Sequence, residues 1–203
     1  LRAGDGRCFV LRINCASQLG LADQIGYEYG ALRVLAPSGR TPEPLYVDGT
    51  RRRIGRGVLV ESFVEGSWID LRDPRQVREA ARALADVHSV AAPPDGALLR
   101  PEDPLRAQLE SCRRLFDGYR GSDLAEARVV GAVDELLALA QRAVDAAPST
   151  STAERSHVLN TEAVPSHFLI DAAGRASIVD WEKPVLGEVA QDVAYFLSPT
   201  TTI

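Results

Sequence analysis

The chain has 203 residues, of which 45% are hydrophobic, 25% charged and 6% aromatic. These proportions belong to a globular protein of one large domain or two small lobes, and they exclude wholesale disorder. The 23 basic and 28 acidic residues leave a net charge of -5, which excludes a broadly basic nucleic-acid binder.

Arg51-Arg52-Arg53, set close to Gly55 and Gly57, reads as the exposed turn of a hairpin rather than a nucleic-acid patch. Apolar runs such as Val58-Leu59-Val60 and Phe168-Leu169-Ile170 are too short to cross a bilayer, so no membrane partner is expected. Cys8, Cys15 and Cys112 make an odd set without a CxxC pair, which fits a reduced cytoplasmic setting. His88, His157 and His167 lack zinc-site spacing. The chain contains no methionine and reads as a fragment or a processed chain. Its abundant arginine and alanine suggest a GC-rich bacterial genome. Lys183 is the sole lysine, so chemistry that needs a lysine has one candidate.

In chain order, Arg7 to Asn14 follows a Gly-Asp-Gly turn and carries strand-forming residues. Asp23 to Leu35 has the spacing of a helix, with Ile25, Leu32 and Leu35 near one face. Pro42-Glu43-Pro44 ends that pattern. Leu45-Tyr46-Val47 and Gly57 to Val64 then read as strands on either side of the arginine turn. After Glu65-Gly66 the character becomes helical. Asp73 is placed to cap a helix that has Pro74 at its first position, with Gln76 expected to complete a capping box. Val77, Ala81, Leu84 and Val87-His88 supply its core stripe. Two more helices are expected, over Pro104 to Phe116 and Ser122 to Val144. The polar run Pro148 to Thr152 reads as a loop.

The last fifty residues turn to short strands. Val158-Leu159 precedes a polar loop, Asn160 to Ser166, which contains Glu162. Phe168-Leu169-Ile170 and Ala176 to Val179 are two apolar strands joined by the turn Asp171-Ala172-Ala173-Gly174. Their pairing is expected to bring Glu162, His167 and Asp180 near one another.

The stretch from Asn160 to Ile170 resembles the catalytic loop of the aminoglycoside phosphotransferase and choline kinase-like family, which has the protein-kinase-like fold. In that family the loop reads His-x-Asp, four residues, then Asn before an apolar strand. Asp180-Trp181-Glu182 is similar to the family's metal-binding element, and Asp192-Val193-Ala194-Tyr195-Phe196 to a later structural one. Ala83 to His88 resembles the helix ending in Leu-His, and Tyr27 to Leu32 the small-lobe helix that bears an ion-pairing glutamate. The matches run in order along nearly the whole chain.

The resemblance implies an α+β fold with two lobes. Residues 1–66 would form a nucleotide-binding lobe of a small mixed β-sheet and one helix, and residues 67–203 a mainly helical lobe. It implies transfer of a γ-phosphoryl group from ATP or GTP, with Mg²⁺ or Mn²⁺, to a hydroxyl of a small molecule. The alternative is a weakened or inactive kinase-fold protein that binds nucleotide or a partner. Glu162 would take the place of the carboxylate that orients the acceptor hydroxyl, with Asn160 beside it. Asp180 and His167 would contact the metal. Arg12 would grip the phosphates, paired with Glu28, and the segment from Glu61 to Phe63 would be the hinge that holds the base. Asp192 is expected to hold the catalytic loop through backbone N–H groups, and Trp181 to pack.

Four positions depart from the family pattern. Glu162 replaces Asp, Asn160 replaces His, His167 replaces Asn, and Arg12 replaces Lys. Arginine keeps the charge but presents a fork rather than a point, and an imidazole nitrogen is a poorer partner for magnesium than oxygen. The glycine loop would lie before Arg7, and most of it is expected to be missing. With seven residues after Phe196, the chain is expected to stop before the acceptor-binding helices are complete.

Overall fold

The computed structural model describes residues 1–17, 19–93, 96–147 and 156–198. The loop expected over Pro148 to Thr152 lies outside them. The chain divides into two compact units, one of residues 1–100 with 155–203 and one of residues 101–154.

The first unit opens with a three-stranded sheet. Strands β1 (Phe9–Ile13), β2 (Pro44–Asp48) and β3 (Val58–Ser62) pair in the order β1-β3-β2. Both ladders are antiparallel, not mixed as expected, because β2 and β3 are joined by the short arginine-rich turn as a hairpin. The central strand β3 is the most buried of the three. Helix α1 (Gln24–Leu35) lies between β1 and β2 in sequence. The Asp23 carboxylate caps it by accepting from the Gly26 N–H at 3.0 Å.

Strand β4 (Ser67–Trp68) pairs with β6 (Phe168–Ile170), which pairs in turn with β7 (Ala176–Ile178). Strand β5 (His157–Leu159) pairs with β8 (Val185–Gly187). Helix α2 (Pro74–His88) has Asp73 as its cap, accepting from the Arg75 N–H. The expected capping box does not form. Gln76 Oε1 instead accepts from the Asp70 N–H at 2.7 Å, closing the turn before the cap. Ile25, Leu32, Leu35, Leu59, Leu84, Val87, Phe168, Ile178 and Trp181 belong to one core that joins α1, β3, α2 and the β6–β7 pair. Phe196 meets Phe168 edge to face at 5.1 Å between ring centres.

The second unit contains α3 (Pro104–Arg120) and α4 (Ala127–Ala146). Arg106 pairs with Asp145 and Arg120 with Asp134, so the start of α3 meets the end of α4 and the helices run antiparallel. Helix α5 (Ala190–Leu197) returns to the first unit. Among the described residues no helix is long and apolar enough to cross a membrane.

Candidate functional site

Alternation along β1 puts Val10 and Arg12 on the same face of the small sheet. Arg12 then spends each guanidinium nitrogen on a different carboxylate. Nε donates to Glu28 at 3.1 Å, Nη1 to Asp180 at 3.2 Å and Nη2 to Glu182 at 2.7 Å. A lysine ammonium lacks a fork that could reach three fixed acceptors in these directions, which is a geometric reason for arginine here.

Glu28 comes from the core-facing side of α1. Its second oxygen accepts from Gln24 Nε2 at 3.1 Å. Burial pushes the Glu28 carboxyl up to about 7, against the opposing pull of Arg12 and Gln24. Burial also raises the Glu61 carboxyl, with Arg12 opposing. Arg12 itself loses hydration, but Glu28, Asp180, Glu61 and Glu182 outweigh that loss and hold its pKa above the usual arginine value. One cation thus faces four carboxylates. A cleft of about 240 Å³ lies beside it, lined in part by Arg12, Cys15, Gln24, Glu28 and Glu182.

The loop after β5 is held from beneath. Asp192, 0% exposed, accepts from the Asn160 N–H at 2.9 Å, the Thr161 N–H at 2.8 Å and His88 Nε2 at 2.9 Å. Thr161 has a left-handed backbone, φ 66°, which this double acceptor enforces. Asn160, 1% exposed, has its side chain committed to the backbone: Nδ2 donates to the Asp180 carbonyl at 3.0 Å, and Oδ1 accepts from the Glu162 N–H at 3.2 Å. Those partners make it a brace between the loop and the Asp180 segment.

Asp180 also has a left-handed backbone, φ 61°. Its two oxygens face different side chains: Oδ1 accepts from Arg12, and Oδ2 lies 3.6 Å from His167 Nε2. His167 ends a 3₁₀ turn, Pro165–His167, and its buried Nδ1 has no hydrogen-bond partner among the described residues. Glu162 Oε1 accepts from Lys183 Nζ. Trp181 is buried, and its indole N–H donates to the Ile178 carbonyl at 2.9 Å.

Of the residues singled out in the sequence, Arg12, Glu28, Asp180 and His167 meet in one chain of contacts, and Asn160 ties Glu162 to Asp180. Glu61 is buried on β3, and the Ser62 N–H next to it is spent on the Glu43 carbonyl at 2.9 Å. Phe63 is exposed and borders a separate cavity of about 520 Å³ with Cys8, Phe9, Val10 and Leu11. Sequence reasoning missed two partners. Glu182 sits on Arg12, which its place in Asp-Trp-Glu could have suggested. Lys183 sits on Glu162; its being the sole lysine was the available signal.

No three His, Cys, Asp or Glu side chains converge as a metal cage among the described residues. A magnesium ion that shares nucleotide phosphates needs only one or two protein carboxylates. The Asp180 and Glu182 carboxylates supply such oxygens around Arg12, so the donor set fits an ion brought in with phosphates.

No protein of curated function matches the chain by sequence. Solved structures do match its fold. One is a Ralstonia eutropha protein provisionally described as an aminoglycoside phosphotransferase, with TM-score 0.71 and 19% identity over 93% of this chain and 56% of that one. A thermostable mutant of aminoglycoside phosphotransferase APH(4)-Ia, in ternary complex with ADP and hygromycin B, gives TM-score 0.63 and 19% identity over 94% and 64%. Macrolide 2'-phosphotransferase MphH from Brachybacterium faecium gives 0.61 and 18% over 96% and 64%. The chain therefore spans 56% to 64% of the length of these three relatives. These likenesses show the kinase-like α+β fold. The model of the phosphotransferase enzyme family matches residues 1–202, and with that extent of match the chain belongs to this family.

Proposed function

We propose that the protein transfers the γ-phosphoryl group of ATP or GTP to a hydroxyl of a small molecule, with aminoglycoside-, choline- or sugar-like compounds as the acceptor class. The observation that carries this reading is the convergence of Arg12, Glu28, Asp180 and Glu182, next to the Glu162 loop, whose backbone Asn160 ties to the same segment. Phosphoryl transfer asks a protein mainly for placement and charge, and this site supplies both. In the reading, residues 1–66 form the nucleotide lobe and residues 67–203 the acceptor lobe.

The base would lie in the cavity bordered by Val10 and Phe63, with the phosphates toward Arg12 on the same face of β1. Arg12 would exchange its Asp180 contact for phosphate oxygens while keeping Glu28. Glu162 would accept the hydrogen bond, and then the proton, of the acceptor hydroxyl. Asp180 would hold Mg²⁺ or Mn²⁺, which when bound neutralises charge across the β- and γ-phosphates. ADP in the APH(4)-Ia complex supports a nucleotide as co-substrate.

A second reading, a kinase-fold binder with weak or no turnover, is favoured by the pairing of Asp180 with Arg12, which occupies a carboxylate the metal would need. The test is a γ-phosphate transfer assay over a panel of hydroxylated compounds, run beside nucleotide-dependent thermal stabilisation. Metal-dependent stabilisation that Asp180→Ala removes, together with transfer that Glu162→Gln removes, is the expected result. Stabilisation without transfer would favour the binder. The absence of both overturns the nucleotide site.

A further inference from the structure

The sole lysine of this chain ends on the one carboxylate offered by the loop after β5. Its mounting is rigid. Three successive carbonyls each accept a side-chain hydrogen bond: Glu182 from Gln24 Nε2 at 2.5 Å, Lys183 from Thr161 Oγ1 at 2.8 Å, and Pro184 from the Tyr27 hydroxyl. Pro184 further narrows the backbone choices of Lys183. The lysine side chain is only 19% exposed, whereas that of Glu162 is 38% exposed.

Glutamate has one more rotatable bond than aspartate, so an unrestrained Glu162 would spread its carboxylate over several rotamers. The fold links both partners through Thr161. Its N–H is gripped by Asp192, its hydroxyl holds the Lys183 carbonyl, and its C-terminal neighbour is Glu162.

We propose that Lys183 is the positioning residue for Glu162: its ammonium fixes Oε1 and leaves Oε2 for the acceptor hydroxyl. This rests on the phosphotransferase reading. It gives the departure from aspartate a structural counterpart, because the longer side chain reaches a cation that locks it.

Because Lys183 is the sole lysine, two measurements test the proposal separately. The first does not use turnover. Acylation of the full chain by an amine-reactive acetylating reagent, located by peptide mass, reads how far the ammonium is engaged. Glu162→Gln should speed labelling at Lys183 roughly fivefold, the scale of a half-exposed ion pair. Unchanged labelling overturns the pairing, whatever the turnover.

The second uses hydrolysis of Mg²⁺–ATP, with water as the acceptor. Lys183→Met should lower kcat by about 100-fold, the low end of what a placed base contributes, with nucleotide Kd unchanged. Lys183→Arg should recover most of that loss. In the Glu162→Gln background, Lys183→Met should cost nothing further. Multiplying losses in the double variant, or a weakened Kd at constant kcat, overturns the positioning role. An inactive wild-type chain overturns the phosphotransferase reading, while the labelling result still decides the pair.

Discussion

Replacing Asp192 with alanine removes the acceptor on which the loop after β5 is built. Three donors lose their partner, the N–H groups of Asn160 and Thr161 and His88 Nε2, all on residues that are buried. Each buried donor left unpaired costs about 1–3 kcal/mol. Release of the left-handed backbone at Thr161 returns about 1–2 kcal/mol. The balance is a loss of about 4 kcal/mol. For a chain of this length that lowers the thermal midpoint by about 8–16 °C. Urea unfolding followed by tryptophan fluorescence is a direct assay, since Trp181 is buried and Trp68 exposed. Asp192→Asn, which keeps one carbonyl acceptor, should lose less. A loss below about 1 kcal/mol for Asp192→Ala, with an unchanged m-value, would refute the argument that these three bonds hold the loop.

Glu28 makes stability fall as pH rises. Its folded carboxyl sits at about 7 against an ordinary value of 4.5, so between those limits the native state binds more protons than the unfolded state. The expected decline is on the order of 2 kcal/mol from pH 4.5 to 7 after solvent screening, and thermal scans of Glu28→Gln should lack it. Arg40 is buried and joins Glu79 at 2.7 Å, Asp86 at 2.8 Å and the Ala176 carbonyl at 3.0 Å. Arg40→Ala should cost about 3 kcal/mol in urea unfolding, and Arg40→Lys should recover less than half of it. A Cβ at Gly66 would lie 2.8 Å from the Ile170 carbonyl oxygen, where the chain enters β4 beside β6. Gly66→Ala should therefore destabilise by about 2 kcal/mol, read by the same assay, and an unchanged midpoint would show that the two backbones can separate freely.

Local patterns were enough to read the element order from β1 to β3, the cap at Asp73, and the turn that pairs β6 with β7. Each of these depends on side chains a few residues apart, and short-range chemistry survives in a linear reading. Ordered motifs also pointed to Asp192 as the loop's holder and to Trp181 as core. The contents of the site were a different matter. Arg12 meets Asp180 and Glu182, 168 and 170 residues away. Gln76 left its expected capping box for a turn because the Asp70 N–H was better placed. Lys183 met Glu162 only because three carbonyls around it are pinned by Gln24, Thr161 and Tyr27. Which charges neutralise one another is a question of distance in space, and spacing along the chain does not encode that distance until the core of α1, α2 and the β6–β7 pair has closed.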